Sequence, residues 1–193
     1  VIVSNIPGTT RDAIDTYFET EDRKMLFIDT AGLRRKNKVN EDLEYYSGIR
    51  AVGAINKADV ALLVLDATEA ISEQDKRIIG IAHEAGKAAI IVINKWDLVQ
   101  KASSTVNEYQ DKIREEFAFM QYAPIVFISA MTGQRVHRII ELISSVMDQY
   151  TFRVKTSMLN DLVEDATAMV EPPNIKGKKL KIYYAVQIGV KPP

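Results

Sequence analysis

The chain has 193 residues, 47% apolar and 26% charged, with a formal net charge of -1. That composition excludes a disordered chain and gives no bulk attraction to nucleic acid or membrane. The lack of cysteine rules out disulfides, thiolate nucleophiles and thiolate-held metals, and suits a reducing cytoplasm, the expected location. No apolar run approaches a membrane span; Ala88 to Ile93, unsurpassed in length, is strand-sized. The opening Val1-Ile2-Val3-Ser4 carries neither the basic start nor the cleavage site of a signal peptide, and no initiator methionine.

In chain order, Thr16–Glu21 and Met25–Ile28 are expected to form a hairpin through Asp22-Arg23. Met25–Ile28, Val60–Leu65, Ala88–Ile93 and Ile125–Ile128 are nearly continuous apolar runs, the pattern of parallel strands buried on both faces. Amphipathic stretches lie between them. One starts at Ser72-Glu73-Gln74-Asp75 and stops at Gly86, and two more cover Asn107–Phe119 and Arg135–Met147. Alternating strand and helix predict a doubly wound α/β sheet of three layers.

The rhythm changes after Tyr150. Ser157–Met169 is expected to be a helix with Leu159, Leu162, Val163 and Ala166 on one face, ended by Pro172-Pro173-Asn174. A lysine-rich turn, Lys176-Gly177-Lys178-Lys179, then leads into Leu180–Val190. There Leu180, Ile182, Tyr184, Val186, Ile188 and Val190 alternate as in a half-exposed strand. One helix and one strand cannot close a core, so the expected division is a domain over 1–152 and an incomplete second domain over 153–193.

In an open parallel sheet, ligands bind beyond the carboxyl ends of the strands. Three apolar runs end in polar loops: Asp29-Thr30-Ala31-Gly32, Asn94-Lys95-Trp96-Asp97 and Ser129-Ala130-Met131-Thr132-Gly133. Each has a job if the ligand is a guanine nucleotide with magnesium. Asp29 suits Mg²⁺, which prefers oxygen ligands and keeps several waters. Gly32 leaves room for a backbone N–H near the terminal phosphate. Asp97 can accept hydrogen bonds from the ring N–H and exocyclic amine of guanine, a donor pair that adenine lacks. Asn94 would hold the loop, the Lys95 stem would cover the ring face, and the Ser129-Ala130 backbone would offer an N–H to the guanine carbonyl. Upstream, in Gly8-Thr9-Thr10-Arg11-Asp12, a threonine hydroxyl can complete the Mg²⁺ shell: Thr10 first, Thr9 as the alternative. Taken alone, either DTAG or NKWD is an ordinary strand-to-helix turn about as often as a site; the ordered set is far more specific. His83, His137 and the basic run Arg34-Arg35-Lys36 with Lys38 are read as solvated surface, and Trp96 as packing against the sheet edge.

These residues resemble the Ras-like GTPase superfamily. DTAG at Asp29–Gly32, NKWD at Asn94–Asp97 and SAM at Ser129–Met131 are similar to its third, fourth and fifth motifs. GTTRD at Gly8–Asp12 is similar to the second motif of a bacterial group. The resemblance narrows to the Der (EngA) family of tandem-domain GTPases through the tryptophan in NKWD, Glu73–Arg77, Ala82–Lys87 and Leu180–Ala185. It implies a second GTP-binding domain followed by the start of a KH-like domain. It also implies GTP hydrolysis coupled to assembly of the large ribosomal subunit, contact with that subunit and its rRNA but with no membrane, and an upstream first GTP-binding domain. Asp29, Thr30, Ala31, Gly32, Leu33, Asn94, Lys95, Trp96, Asp97, Ser129, Ala130 and Met131 become the implied nucleotide contacts.

Three departures qualify the resemblance. No G-x-x-x-x-G-K-[ST] is present, so the family's first strand, phosphate loop and first helix are expected upstream of Val1, and this fragment alone is expected to be inactive. Gly80 to Lys87 is a decoy, one residue too long and placed in a helix-to-strand turn. Leu33 stands where Ras carries its water-positioning glutamine, so no catalytic residue is assigned; relatives imply a potassium ion near Asn5–Thr9 instead. No G-x-x-G occurs, so the nucleotide clamp of KH domains is not expected. Two rival readings are a nucleotide-independent RNA- or ribosome-binding module, and a dinucleotide oxidoreductase, which lacks its G-x-G-x-x-G here.

Overall fold

The computed structural model describes residues 15–20, 23–28, 52–100, 104–170, 172, 174–175 and 178–191. Thr16–Glu19 (β1) and Lys24–Phe27 (β2) form the expected antiparallel hairpin, with Tyr17 opposite Leu26. Thr20 closes it: its hydroxyl accepts from the Arg23 N–H at 3.1 Å, and its own N–H donates to the Arg23 carbonyl at 2.8 Å.

Val60–Asp66 (β3), Ala88–Asn94 (β4) and Ile125–Phe127 (β5) make a parallel sheet in the order β3-β4-β5. The register sets Val60 opposite Ala88 and Asp66 opposite Asn94. Six of the seven residues of β4 are buried, as a central strand covered on both faces requires. Its side chains alternate between two cores. Ala89, Ile91 and Ile93 join Leu63, Leu65, Ile79, Ile113 and Phe117 on one face. Ile90 and Val92 join Val126 and Ile128 on the other, against Ile139, Leu142, Ile143 and Val146.

The helices covering these faces are Glu73–Glu84 (α1), Thr105–Glu116 (α2) and His137–Tyr150 (α3). Ser72 and Asp75 form a reciprocal capping box at the start of α1, worth about 1 kcal/mol. Two boundaries differ from expectation. Phe117 leaves helical geometry at φ -116, ψ 48, and a 3₁₀ turn at Ala118–Met120 follows. The tighter turn lets Phe117 and Met120 both enter the core, at 1% and 0% exposure. At the start of α3, Arg135 is left-handed at φ 57 and so cannot belong to the helix. That helix runs on to Tyr150, whose hydroxyl donates to the Gly86 carbonyl at 2.6 Å. A short helical segment at 52–57 also lies beside the sheet. Sequence periodicity did not reveal it, because it is shorter than two turns.

Between β2 and the outer edge of β3 lies a cavity of about 660 Å³, lined among others by Met25, Phe27, Ile55, Leu63, Ile79 and Met147. Among the described residues no strand pairs with that edge of β3.

Beyond α3, Thr156–Met169 (α4) matches expectation to within one residue, but none of its residues is buried. Asn174–Ile175 (β6) and Lys178–Lys179 (β7) pair as a minimal hairpin; Lys176 and Gly177 of the expected turn lie outside the described residues. The strand expected at Leu180–Val190 does not form. Those residues have no ladder partner among the described residues, and Leu180, Ile182, Tyr184, Val186, Ile188 and Val190 are all exposed. An alternating apolar pattern makes a strand only where a neighbouring strand takes its backbone groups. Side chains hold this segment instead. Asn160 of α4 accepts from the Ala185 N–H at 2.8 Å and donates to its carbonyl at 2.9 Å. Gln187 accepts from the Val154 N–H at 2.8 Å and donates to the Phe152 carbonyl at 3.0 Å.

Candidate functional site

Parallel pairing of β4 with β5 brings the loops that follow them to the same sheet edge. Their backbones are stitched together there. The Ile128 N–H donates to the Ile93 carbonyl at 2.8 Å, and the Trp96 N–H donates to the Ile128 carbonyl at 3.0 Å. The Asn94 carboxamide oxygen then accepts from the Ala130 N–H at 2.9 Å. One side chain thus ties NKWD to SAM.

The first loop turns sharply. Lys95 is left-handed at φ 60, ψ 31, and Trp96–Leu98 form a single 3₁₀ turn, with the Leu98 N–H donating to the Lys95 carbonyl at 3.0 Å. A non-glycine residue held left-handed needs the surroundings to fix it. Trp96 supplies one fixture. It is 2% exposed, edge-on to Tyr109 at 5.1 Å and tilted against Phe127 at 4.4 Å between ring centroids. Its indole therefore underpins the loop from the core. Asp97, the next residue, is exposed.

Lys95 is fixed at its other end by Asp66, the last residue of β3. Lys95 Nζ lies 2.6 Å from Asp66 Oδ2, and the Asp66 side chain is only 6% exposed. The other carboxylate oxygen accepts from the Thr68 N–H at 2.8 Å and its hydroxyl at 2.6 Å. Burial, the largest single influence, pushes this carboxyl up. The Lys95 and Thr68 hydrogen bonds together outweigh it and hold the carboxyl at about 2, below the ordinary 3.8. Sequence reasoning passed over Asp66. The available signal was an acidic residue closing a buried strand, the same pattern that drew attention to Asp29.

In the second loop Ser129 is fully buried and its hydroxyl accepts from the Thr132 N–H at 3.2 Å. Gly133 at φ 76 and Arg135 at φ 57 turn the chain back, so that the Ser129 N–H reaches the Gln134 carbonyl at 3.1 Å. Ala130 is exposed, and Met131 is 85% exposed. Of the expected site, the structure joins Asn94 to Ala130 and Trp96 to Ile128, the residue before Ser129, and leaves Lys95, Asp97, Ala130 and Met131 exposed. Thr9, Thr10, Asp29, Thr30, Ala31, Gly32 and Leu33 lie outside the described residues, as does the basic run at 34–38.

Among the described residues no group of three or more acidic or histidine side chains could hold a metal ion. No helix among the described residues is long and apolar enough to cross a membrane. His83 stacks on Tyr122, with its Nδ1 3.0 Å from the phenol oxygen, and His137 is exposed at the start of α3.

Comparison with known proteins gives two family matches. Residues 5–149 match the elongation factor Tu GTP binding domain, and residues 153–193 match the KH-domain-like C-terminal region of EngA bacterial GTPase enzymes. Over all 193 residues the chain is 60% identical to a GTPase Der of Ruminiclostridium cellulolyticum and 59% identical to one of Acetivibrio thermocellus. It spans 44% of the length of each. Among solved structures, Era in complex with MgGDPNP and a segment of 16S ribosomal RNA is similar over 74% of this chain and 46% of that one. The TM-score is 0.63 at 28% identity. A probable GTP-binding protein, engB, shares the fold over 74% of this chain and 86% of its own, with a TM-score of 0.58 at 22% identity.

Proposed function

We propose that this chain, which belongs to the elongation factor Tu type of GTP-binding domain and within it to the Der (EngA) family, serves a GTP-hydrolysing switch by supplying its guanine-binding edge. One observation carries the reading: Asn94 locks NKWD to SAM and leaves the Asp97 carboxylate exposed beside them. Asp97 accepts from the guanine ring N–H and exocyclic amine. The Lys95 stem lies against the ring face. The guanine carbonyl takes the Ala130 N–H in place of the Asn94 carboxamide, while the Trp96 N–H on the Ile128 carbonyl keeps the two loops joined.

The phosphate side falls to the segments that carry Thr9, Thr10 and Asp29 to Leu33. Their oxygen donors have the chemistry that Mg²⁺ selects. When bound, the ion neutralises charge on the β- and γ-phosphates. The cavity beside β3 fits a further strand leading to a phosphate loop. With leucine at position 33, the chain offers no side chain there to orient water, and a potassium ion near Asn5–Thr9 is the candidate substitute. Residues 1–152 then form the GTP-binding domain and 153–193 the KH-like part. The whole protein acts in the cytoplasm on the large ribosomal subunit and its rRNA, behind a first GTP-binding domain. The complex of Era with a segment of 16S ribosomal RNA supports a role on ribosomal RNA in general, without bearing on which subunit.

The test is base selection by the full-length protein. Asp97→Asn should lose GTP and gain xanthosine triphosphate, because the amide reverses the donor–acceptor pattern. The loss in GTP binding should be about 2–4 kcal/mol. Equal GTP binding by variant and wild type would remove this loop from the site. The nucleotide-independent alternative is favoured only if the wild type binds RNA without binding either nucleotide.

A further inference from the structure

We infer that Asp66 is a positioning residue for base recognition: from the end of β3 it anchors Lys95 so that the lysine stem stays stretched across the sheet edge where the base lies. This rests on the guanine-nucleotide reading above and adds a residue to it. Lysine has four rotatable carbons, so an unanchored Lys95 would sample many conformers and spend little time as a platform for a ring. Here both ends are fixed. The backbone is held left-handed, with its carbonyl accepting from the Leu98 N–H at 3.0 Å, and the ammonium sits 2.6 Å from Asp66 Oδ2. Between them the stem crosses from the end of β4 to the end of β3, where Asp66 stands opposite Asn94 in register.

Asp66 is itself immobilised. Its Oδ1 takes two hydrogen bonds from Thr68. The next residue, Ala67, donates its N–H to the Asn94 carbonyl at 2.9 Å and accepts from the Tyr109 hydroxyl at 2.9 Å. Tyr109 is the residue against which Trp96 packs edge-on. The anchor and the lysine backbone are thus referred to the same rigid frame. A buried carboxylate with one oxygen on a turn and the other on a lysine is arranged to aim that lysine.

The prediction separates ring-face support from edge recognition. In the full-length protein, Asp66→Asn should weaken GDP binding about tenfold. It should weaken inosine diphosphate by the same factor, because a stem across the ring face does not sense the exocyclic amine. Asp97→Asn should instead lose GDP far more than inosine diphosphate. Placed on Lys95→Met, which already lacks the ammonium, Asp66→Asn should add less than twofold. Wild-type affinity in Asp66→Asn, a loss confined to GDP, or a full additional loss on the Lys95→Met background would each overturn the inference. A second measurement needs no variant: the Lys95 ammonium should give a slowly exchanging ¹⁵N–¹H signal in the GDP-bound wild type. An ammonium exchanging as fast as that of an exposed lysine would also overturn it. Wild-type protein that fails to bind GDP overturns the nucleotide reading and this inference together, whereas GDP binding with an indifferent Asp66→Asn overturns the inference alone.

Discussion

The β3–β5 sheet and the segment from Thr156 to Lys191 both carry strings of apolar side chains, and those side chains meet opposite fates. In the sheet, α1 and α2 close one face and α3 closes the other, so Ile90, Ile91 and Val92 have no measurable exposure. In the C-terminal segment α4 has no buried residue, and Ile188 is 94% exposed. The sheet is held by area removed from water. The C-terminal segment is held by a few directed contacts: the Asn160 and Gln187 hydrogen bonds, the Lys191 N–H on the Tyr150 carbonyl and the Lys191–Asp59 ion pair. An apolar side chain stabilises only when something covers it, so apolar content alone does not forecast a core.

Truncation should expose the contrast most strongly. Ile91→Ala deletes fully buried methylenes at the centre of the sheet and should cost about 3–4 kcal/mol, read as a shift in urea midpoint. Ile188→Ala should change the same midpoint by less than about 0.5 kcal/mol. Comparable losses at the two positions would mean that Ile188 is covered in solution.

The sheet and its edge loops were legible because strand periodicity, loop chemistry and topology agreed. Val60–Leu65, Ala88–Ile93 and Ile125–Ile128 anticipated β3, β4 and β5 to within a residue. Parallel order then forced Asn94 and Ala130 to meet. Legibility failed where a distant partner decides the outcome. Leu180–Val190 has strand periodicity but no neighbouring strand among the described residues. Arg135 reads as helical, yet the return of the Ser129 loop makes it left-handed. Asp66 looked like the end of an apolar run, because its partner Lys95 lies 29 positions further on. The expectations at Thr9, Thr10 and Asp29–Leu33 fall outside the described residues.

Acid should loosen the sheet edge by a smaller amount. The Asp66 carboxyl is held at about 2 when folded, against an ordinary 3.8. A depressed folded value contributes stability above the unfolded value and loses it as pH falls from about 4 to about 2. The contribution is about 2 kcal/mol. The wild type should therefore lose more stability than Asp66→Asn across that window, in melts at matched ionic strength. Parallel pH curves would show that Asp66 titrates alike folded and unfolded, and would contradict the tight Lys95 pair.

The smallest effect belongs to the Asn160 clamp, and it should be local. Asn160 serves the Ala185 N–H and carbonyl together, as a strand neighbour would. Removing it with Asn160→Ala leaves two partly buried backbone groups without that partner; water can replace it, so the cost should be about 1–1.5 kcal/mol. Amide exchange at Ala185 reads this directly, because local opening frees that N–H without unfolding the sheet. Protection there should fall about tenfold, while the amides of β4 keep theirs. Asn160→Asp sharpens the test. Its carboxylate still accepts from the Ala185 N–H but sets a negative charge against the Ala185 carbonyl at the position of the lost donor. It should recover only part of the protection at neutral pH and more below its own titration, where the protonated acid donates again. Unchanged exchange at Ala185 in both variants would mean that the segment is held by burial after all, and the contrast with the sheet would collapse.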